Sequence, residues 1–153
     1  MTWVLVAALE WYTEEFNHRY SIEVDFRSDQ EEYTLPAPVV TNLFRIYQES
    51  LTNVARHAKA TNVKAELWLS EGSICLSVKD NGEGFSGGKN GKKTLGLTGM
   101  KERALMIGGR LDIKSSPGEG ATVSIVVPLY DNSHQTLSNF HVNDMLPATK
   151  RGT

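Results

Sequence analysis

The 153-residue sequence predicts an α+β fold, a mixed sheet covered by helices. Three observations predict it. Apolar residues recur at helical spacing in three separated segments, and they alternate with polar ones in five others. The order along the chain is helix, strand, helix, hairpin, loop, helix, hairpin.

Residues 3–20 carry Val4, Leu5, Ala8, Leu9, Tyr12 and Phe16 on one helical stripe. Ile22, Val24 and Phe26 then alternate with polar neighbours, which predicts a half-buried strand over 21–26. Residues 28–34 are acidic and polar, a loop. Leu35-Pro36-Ala37-Pro38 opens a second helix, because proline is tolerated in a first turn and not later. That helix runs through Leu43, Ile46, Tyr47, Ser50, Leu51 and Val54 to about Ala58. Alternating runs over 62–69 and 73–78 flank Glu71-Gly72, the signature of a hairpin. Residues 80–93 are rich in Gly, Lys and Asn without any apolar period, and a loop of that length is usually functional or disordered. Residues 96–107 return to helix, with Leu97, Met100, Ala104, Leu105 and Ile107 as the candidate buried face, and Gly108-Gly109 ends it. Ser116-Pro117-Gly118-Glu119-Gly120 joins the last two strands, 110–115 and 121–129. The domain is placed at residues 1–130. Residues 131–153 are polar and aperiodic, with no packing element, and are expected to be a disordered tail.

Composition narrows the function classes. Hydrophobic residues are 40% and charged residues 22%, ordinary for a globular domain. With 16 basic and 18 acidic side chains, the net charge of −2 offers no basic footprint for a nucleic-acid partner. The one cysteine, Cys75, excludes an internal disulfide and a multi-cysteine zinc site. It sits in an apolar alternating run and reads as a buried structural thiol. No apolar run approaches the ~20 residues that span a bilayer, and the start lacks the basic residues of a signal peptide. The expected compartment is the cytoplasm, with no membrane contact by this domain; any anchor would belong to another part of the protein.

Three segments could carry chemistry. On the second helix, Glu49 and Asn53 are four apart and project from one face, with Arg56 and His57 a turn further on near it. An acid, an amide, a guanidinium and an imidazole can line a metal–phosphate site, since oxygen ligands suit Mg2+ and arginine suits phosphate. Alone, the same row also reads as a solvated polar helix face. The second segment, Asp80-Asn81-Gly82-Glu83-Gly84-Phe85, follows an apolar strand. A carboxylate there can accept a hydrogen bond from an exocyclic amine, and the glycines let the backbone approach a ligand. Alone, it is a plain Asn-Gly turn. The third, Gly96-Leu97-Thr98-Gly99-Met100, starts a helix with free N–H groups, an anion site or simply a glycine-rich helix start. No Gly-Lys-Ser/Thr follows it and no strand directly precedes it, so neither a Walker A loop nor a Rossmann fingerprint fits.

Together, in this order and spacing, the three resemble the N, G1 and G2 boxes of the GHKL ATPases: gyrase, the Hsp90 chaperones, histidine kinases and MutL repair proteins. Glu-Ser-Leu-Thr-Asn-Val-Ala-Arg-His-Ala (49–58) and Gly-Leu-Thr-Gly-Met-Lys-Glu-Arg-Ala (96–104) are similar to the N and G2 boxes of sensor histidine kinases paired with LuxR-type response regulators. Gly-Ala-Thr-Val-Ser-Ile (120–125) resembles the family's closing strand, and the likeness runs from about Ala8 to Leu129. The resemblance implies a Bergerat-type two-layer α/β sandwich, with a mixed sheet, helices on one face and ATP held between helices and a lid spanning about 86–98. It implies that Asn53 coordinates Mg2+ and that Glu49, the catalytic residue, orients metal-bound water or assists proton movement. Arg56 and His57 would contact phosphates. Asp80 would bind the adenine amino group, with Gly82 and Gly84 giving backbone room. Gly96, Leu97 and Gly99 would present amides to the phosphates, and Thr122 would brace the adenine through Asp80 or water. The implied activity is protein histidine kinase: transfer of the ATP γ-phosphoryl group to a histidine on a helical dimerisation domain, and onward to a response regulator.

In the family a helical hairpin bearing the phosphoacceptor histidine precedes this domain. Here one helix precedes the first strand, and its His18 reads as an exposed helix terminus where imidazole favours the dipole. His134 and His141 fall in the expected tail and are given no role. Two rivals share the boxes: a free-standing serine kinase that inhibits a sigma factor, and a nucleotide-sensing module without transfer activity. The wording of the N and G2 boxes argues against the first, and intact Glu49, Asn53 and Asp80 argue against the second.

Overall fold

A computed structural model describes residues 4–84 and 96–129. In chain order they form α1 (Leu5–Arg19), β1 (Glu23–Ser28), α2 (Ala37–Asn53), a π-helical turn (Val54–Ala58), β2 (Asn62–Ser70), β3 (Ser73–Asp80), α3 (Leu97–Met106), β4 (Arg110–Ser115) and β5 (Ala121–Pro128). One sheet of five strands runs β1-β2-β3-β5-β4. Its β1–β2 pair is parallel and its other pairs are antiparallel. A parallel pair needs a crossover, and α2 supplies it. The expected α+β architecture is observed. The expected tail, and residues 86–95 of the expected lid, lie outside the described residues.

Strand periodicity makes the sheet one-sided. In β2, Val63, Ala65 and Leu67 are buried while Lys64 and Glu66 are exposed. Register carries the buried rows across the sheet: Ala65 pairs Val78 and Leu67 pairs Leu76, and these pair Val123 and Ile125. Side chains in one row share a face, so the three helices cover one side only. Cys75 pairs Trp68 and Val126 on the other side and is nonetheless buried, the structural thiol expected.

Both long helices meet the sheet through their apolar stripes. On α1, Leu5, Val6, Leu9, Thr13 and Phe16 are buried, while Val4 is exposed. Thr13 is polar but satisfied: its hydroxyl donates to the Leu9 carbonyl at 2.7 Å and also hydrogen-bonds Tyr47 of α2. Asn17 ties α1 to β1 by accepting the Val24 N–H at 2.9 Å. The α2 stripe of Val39, Val40, Leu43, Ile46, Tyr47, Ser50 and Leu51 is buried throughout. Each large apolar side chain there contributes roughly 1.5–3 kcal/mol. On α3, Leu97, Met100 and Ala104 are buried, but Leu105 is 76% exposed. The expectation for Leu105 is thus corrected, because one residue past Ala104 turns about 100° away from the buried stripe. Gly108 (φ 67°) closes the helix, and the Gly109 N–H donates to the Ala104 carbonyl at 2.8 Å.

No helix among the described residues is long and apolar enough to cross a membrane.

Candidate functional site

Strand phase decides where the acid of the second motif points. β3 extends to Asp80, which pairs Val63, so Asp80 falls in the same phase as buried Ile74, Leu76 and Val78. Its side chain therefore lies on the helix-covered side, and the residue is 6% exposed. Oδ1 accepts the N–H of Gly82 at 2.8 Å and of Ala121 at 3.3 Å. Burial pushes the carboxyl above its usual range, and the two N–H groups pull part of the way back. A buried acid set at a strand end, with a perturbed proton affinity, is the strongest site candidate among the described residues.

The turn after Asp80 is wedged between two other segments. The Glu83 N–H donates to the Ala58 carbonyl at 2.7 Å, and the Glu83 carbonyl accepts the Gly118 N–H at 2.5 Å. At Gly82 a Cβ would run into the Ala58 backbone, so only glycine permits this approach. Gly84 (φ 70°) meets the β4–β5 connection at Ser116. The turn thus touches the end of the π-turn on one side and the last hairpin on the other.

The start of α3 is keyed to α2. Gly96 caps the helix at φ 63°, and a Cβ on it would collide with the Glu49 carboxylate. Leu97 and Met100 are buried, and the Met100 sulfur lies 3.7 Å from the Ser50 hydroxyl. These contacts set the first-turn N–H groups of α3, which have no partner within the helix, beside Glu49. Asn53 is half-buried one turn along α2 from Glu49. Gly99 is exposed, and nothing crowds the place of its Cβ. Among the described residues no three His, Cys, Asp or Glu side chains cluster as a metal cage.

Two positions differ from expectation. The helix ends in a π-turn, whose i→i+5 spacing shifts the faces of its last residues. Arg56 consequently lines a groove of about 300 Å³ between α1 and α2, with Trp11, Arg19, Gln48 and Thr52. It does not continue the Glu49–Asn53 row. His57 is exposed on the same turn. Thr122 pairs Lys79, the residue before Asp80, so its side chain faces the open side of the sheet, away from Asp80. The neighbour that meets Asp80 is the main chain of Ala121. A backbone N–H carries no residue-type signal, which is why the sequence did not disclose it.

The family profile described as histidine kinase-, DNA gyrase B-, and HSP90-like ATPase matches residues 39–131, well over half of the chain. The signal transduction histidine-protein kinase/phosphatase DegS of Brevibacillus brevis is 35% identical over 125 residues, 82% of this chain and 32% of that protein. The oxygen sensor histidine kinase NreB of Staphylococcus carnosus is 34% identical over 128 residues, 83% of this chain and 37% of that protein. The chain therefore spans about a third of the length of these curated relatives. Among solved structures, the histidine kinase domain of the Erythrobacter litoralis EL346 blue-light activated kinase superposes with a TM-score of 0.71. It covers 82% of this chain and 61% of that one, at 24% identity, a likeness of fold.

Proposed function

Since the chain belongs to the histidine kinase-, DNA gyrase B- and HSP90-like ATPase family, we propose that it is the ATP-binding catalytic domain of a two-component sensor histidine kinase. The observation that carries this reading is Asp80: a buried carboxylate pinned through Oδ1 by two backbone N–H groups. That arrangement leaves Oδ2 to accept an exocyclic amine, which adenine has and guanine lacks at the corresponding ring edge. The phosphates would lie toward Glu49, Asn53 and the first-turn amides of α3, with Gly96 and Leu97 at that helix start.

Magnesium fits this donor set. Glu49 and Asn53 would supply hard oxygen donors one turn apart, and phosphate oxygens and water would complete a shell that the described residues do not build alone. When bound, the ion neutralises charge on the phosphates. The protein's own part is positioning: Asp80 orients the base, the α3 amides hold phosphate oxygens, and Glu49 orients water or takes a proton. Arg56, which lines the α1–α2 groove, would reach phosphates only by swinging from its present place, and His57 is exposed on the same π-turn. The acceptor is a histidine on a helical dimerisation domain of the same kinase, with a response regulator downstream, and the domain works in the cytoplasm.

The test is incubation with radiolabelled ATP and the helical dimerisation domain supplied as a separate protein. Acid-labile label on that domain's histidine is expected. Acid-stable label on a serine of another protein would overturn the reading in favour of a serine kinase.

A further inference from the structure

Asn81 follows Asp80 and is exposed, yet its side chain makes three hydrogen bonds to residues outside its own turn. Oδ1 accepts the N–H groups of Thr61 and Asn62, both at 2.9 Å. Nδ2 donates to the Thr61 hydroxyl at 2.9 Å, and the Asn81 main-chain N–H donates to the Asn62 carbonyl at 3.2 Å. Four bonds thus join one residue to the two-residue entrance of β2. An Asn-Gly turn closes on its own backbone, whereas this one grips a strand start some 20 positions earlier.

The grip fixes more than Asn81. Asp80 ends β3 on one side of it, and Gly82, on the other, gives the N–H that holds Asp80 Oδ1. Main-chain geometry at Asn81 therefore sets both the direction of the carboxylate and the donor that pins it. The next residue, Glu83, is bound to Ala58 at the end of the π-turn. The segment 58–62 is thereby stitched to the turn at both ends.

We propose that Asn81 is a positioning residue for base selection: it aims the Asp80 carboxylate by clamping the turn to Thr61 and Asn62. This rests on the nucleotide reading above. Loss of the clamp lets the turn relax while the β-sheet, anchored by its buried rows, stays formed. Adenine recognition should suffer more than phosphate binding, which depends on α2 and α3.

The experiment measures ATP and GTP affinity by calorimetry for the parent chain and for Asn81→Ala, Asn81→Gln and Asn81→Asp. Alanine removes the side-chain bonds, and glutamine displaces the amide by one methylene. Both should weaken ATP at least tenfold, leave GTP within about twofold, and so compress the ATP-over-GTP preference. Aspartate keeps the acceptor for both main-chain donors and should retain ATP affinity within about threefold. A parental preference in both the alanine and the glutamine variant would overturn the proposal, as would equal losses for the two nucleotides. A parent chain that binds neither nucleotide would instead overturn the nucleotide reading itself, and the clamp's role with it.

Discussion

At Asp80 two requirements pull against each other, because burial opposes the charge that the proposed adenine recognition would use. Its carboxyl is raised above the ordinary value of 3.8, first by burial. A raised acid binds more protons in the folded state, so its contribution to stability is fully present below 3.8 and is lost as pH rises through the native value. At neutral pH the ionised group is a net cost. Asp80→Asn keeps an oxygen for the Gly82 and Ala121 N–H groups and removes the charge. The apo melting temperature should therefore hold or rise at pH 7, and the acid-to-neutral slope of stability should flatten. ATP affinity should fall by about 2 kcal/mol, the cost of a mismatched buried polar contact. Calorimetry and a melting series over pH check both, and equal ATP affinity in variant and parent would refute the base-binding role. Gly82 is constrained differently. A methyl group there meets the rigid Ala58 backbone, so Gly82→Ala should destabilise by about 1–3 kcal/mol in chemical denaturation.

Helices α2 and α3 would carry the phosphate side in the proposed site, and their faces separate buried from exposed positions. Asn53 and Glu49 stand off the buried α2 stripe. Asn53→Ala should abolish most of the Mg2+ dependence of ATP binding while costing no more than about 1 kcal/mol of stability. Unfolding of that variant would make the row structural, the alternative that its sequence left open. Gly96→Ala has two separable effects. Its φ of 63° costs an L-residue about 1 kcal/mol. The collision is with the free end of Glu49, which yields by swinging away, so phosphoryl transfer should fall by about 100-fold. Transfer assays beside thermal melts resolve the two. Elements were legible where one period ran long enough: α2 follows its stripe to Leu51, and the β2–β3 hairpin follows its alternation. The π-turn was not legible, because its residues suit an α-helix equally and the widening serves a contact from Ala58 to Glu83.

Phosphoryl transfer needs a nucleophile held in line with the phosphate at near-attack distance. Among the described residues, His18 lies in the last turn of α1 and His57 on the π-turn, each on a helical segment packed within this domain rather than on a separate partner helix. The chain alone should bind Mg·ATP and acquire no stable label from radiolabelled ATP. Acid-labile label on this chain alone would refute that division of labour.

Local pattern by itself determined the three helices and five strands of the described residues, the burial phase of the strands and the motif residues Glu49, Asn53, Asp80 and Gly96. Periodicity and turn chemistry are properties of neighbours in sequence, so a sequence can state them. Tertiary structure alone decided which motif meets which. Strand register turned Thr122 away from Asp80 and brought the Ala121 N–H to it instead. Helix packing set Glu49 against Gly96, and the π-turn moved Arg56 into the α1–α2 groove. Asn81 shows the boundary most sharply: its sequence announces a turn, and only the paired strands show that the turn holds on to Thr61 and Asn62. The physical reason is that these contacts depend on pairings between distant segments, whose register is set by how the whole core packs.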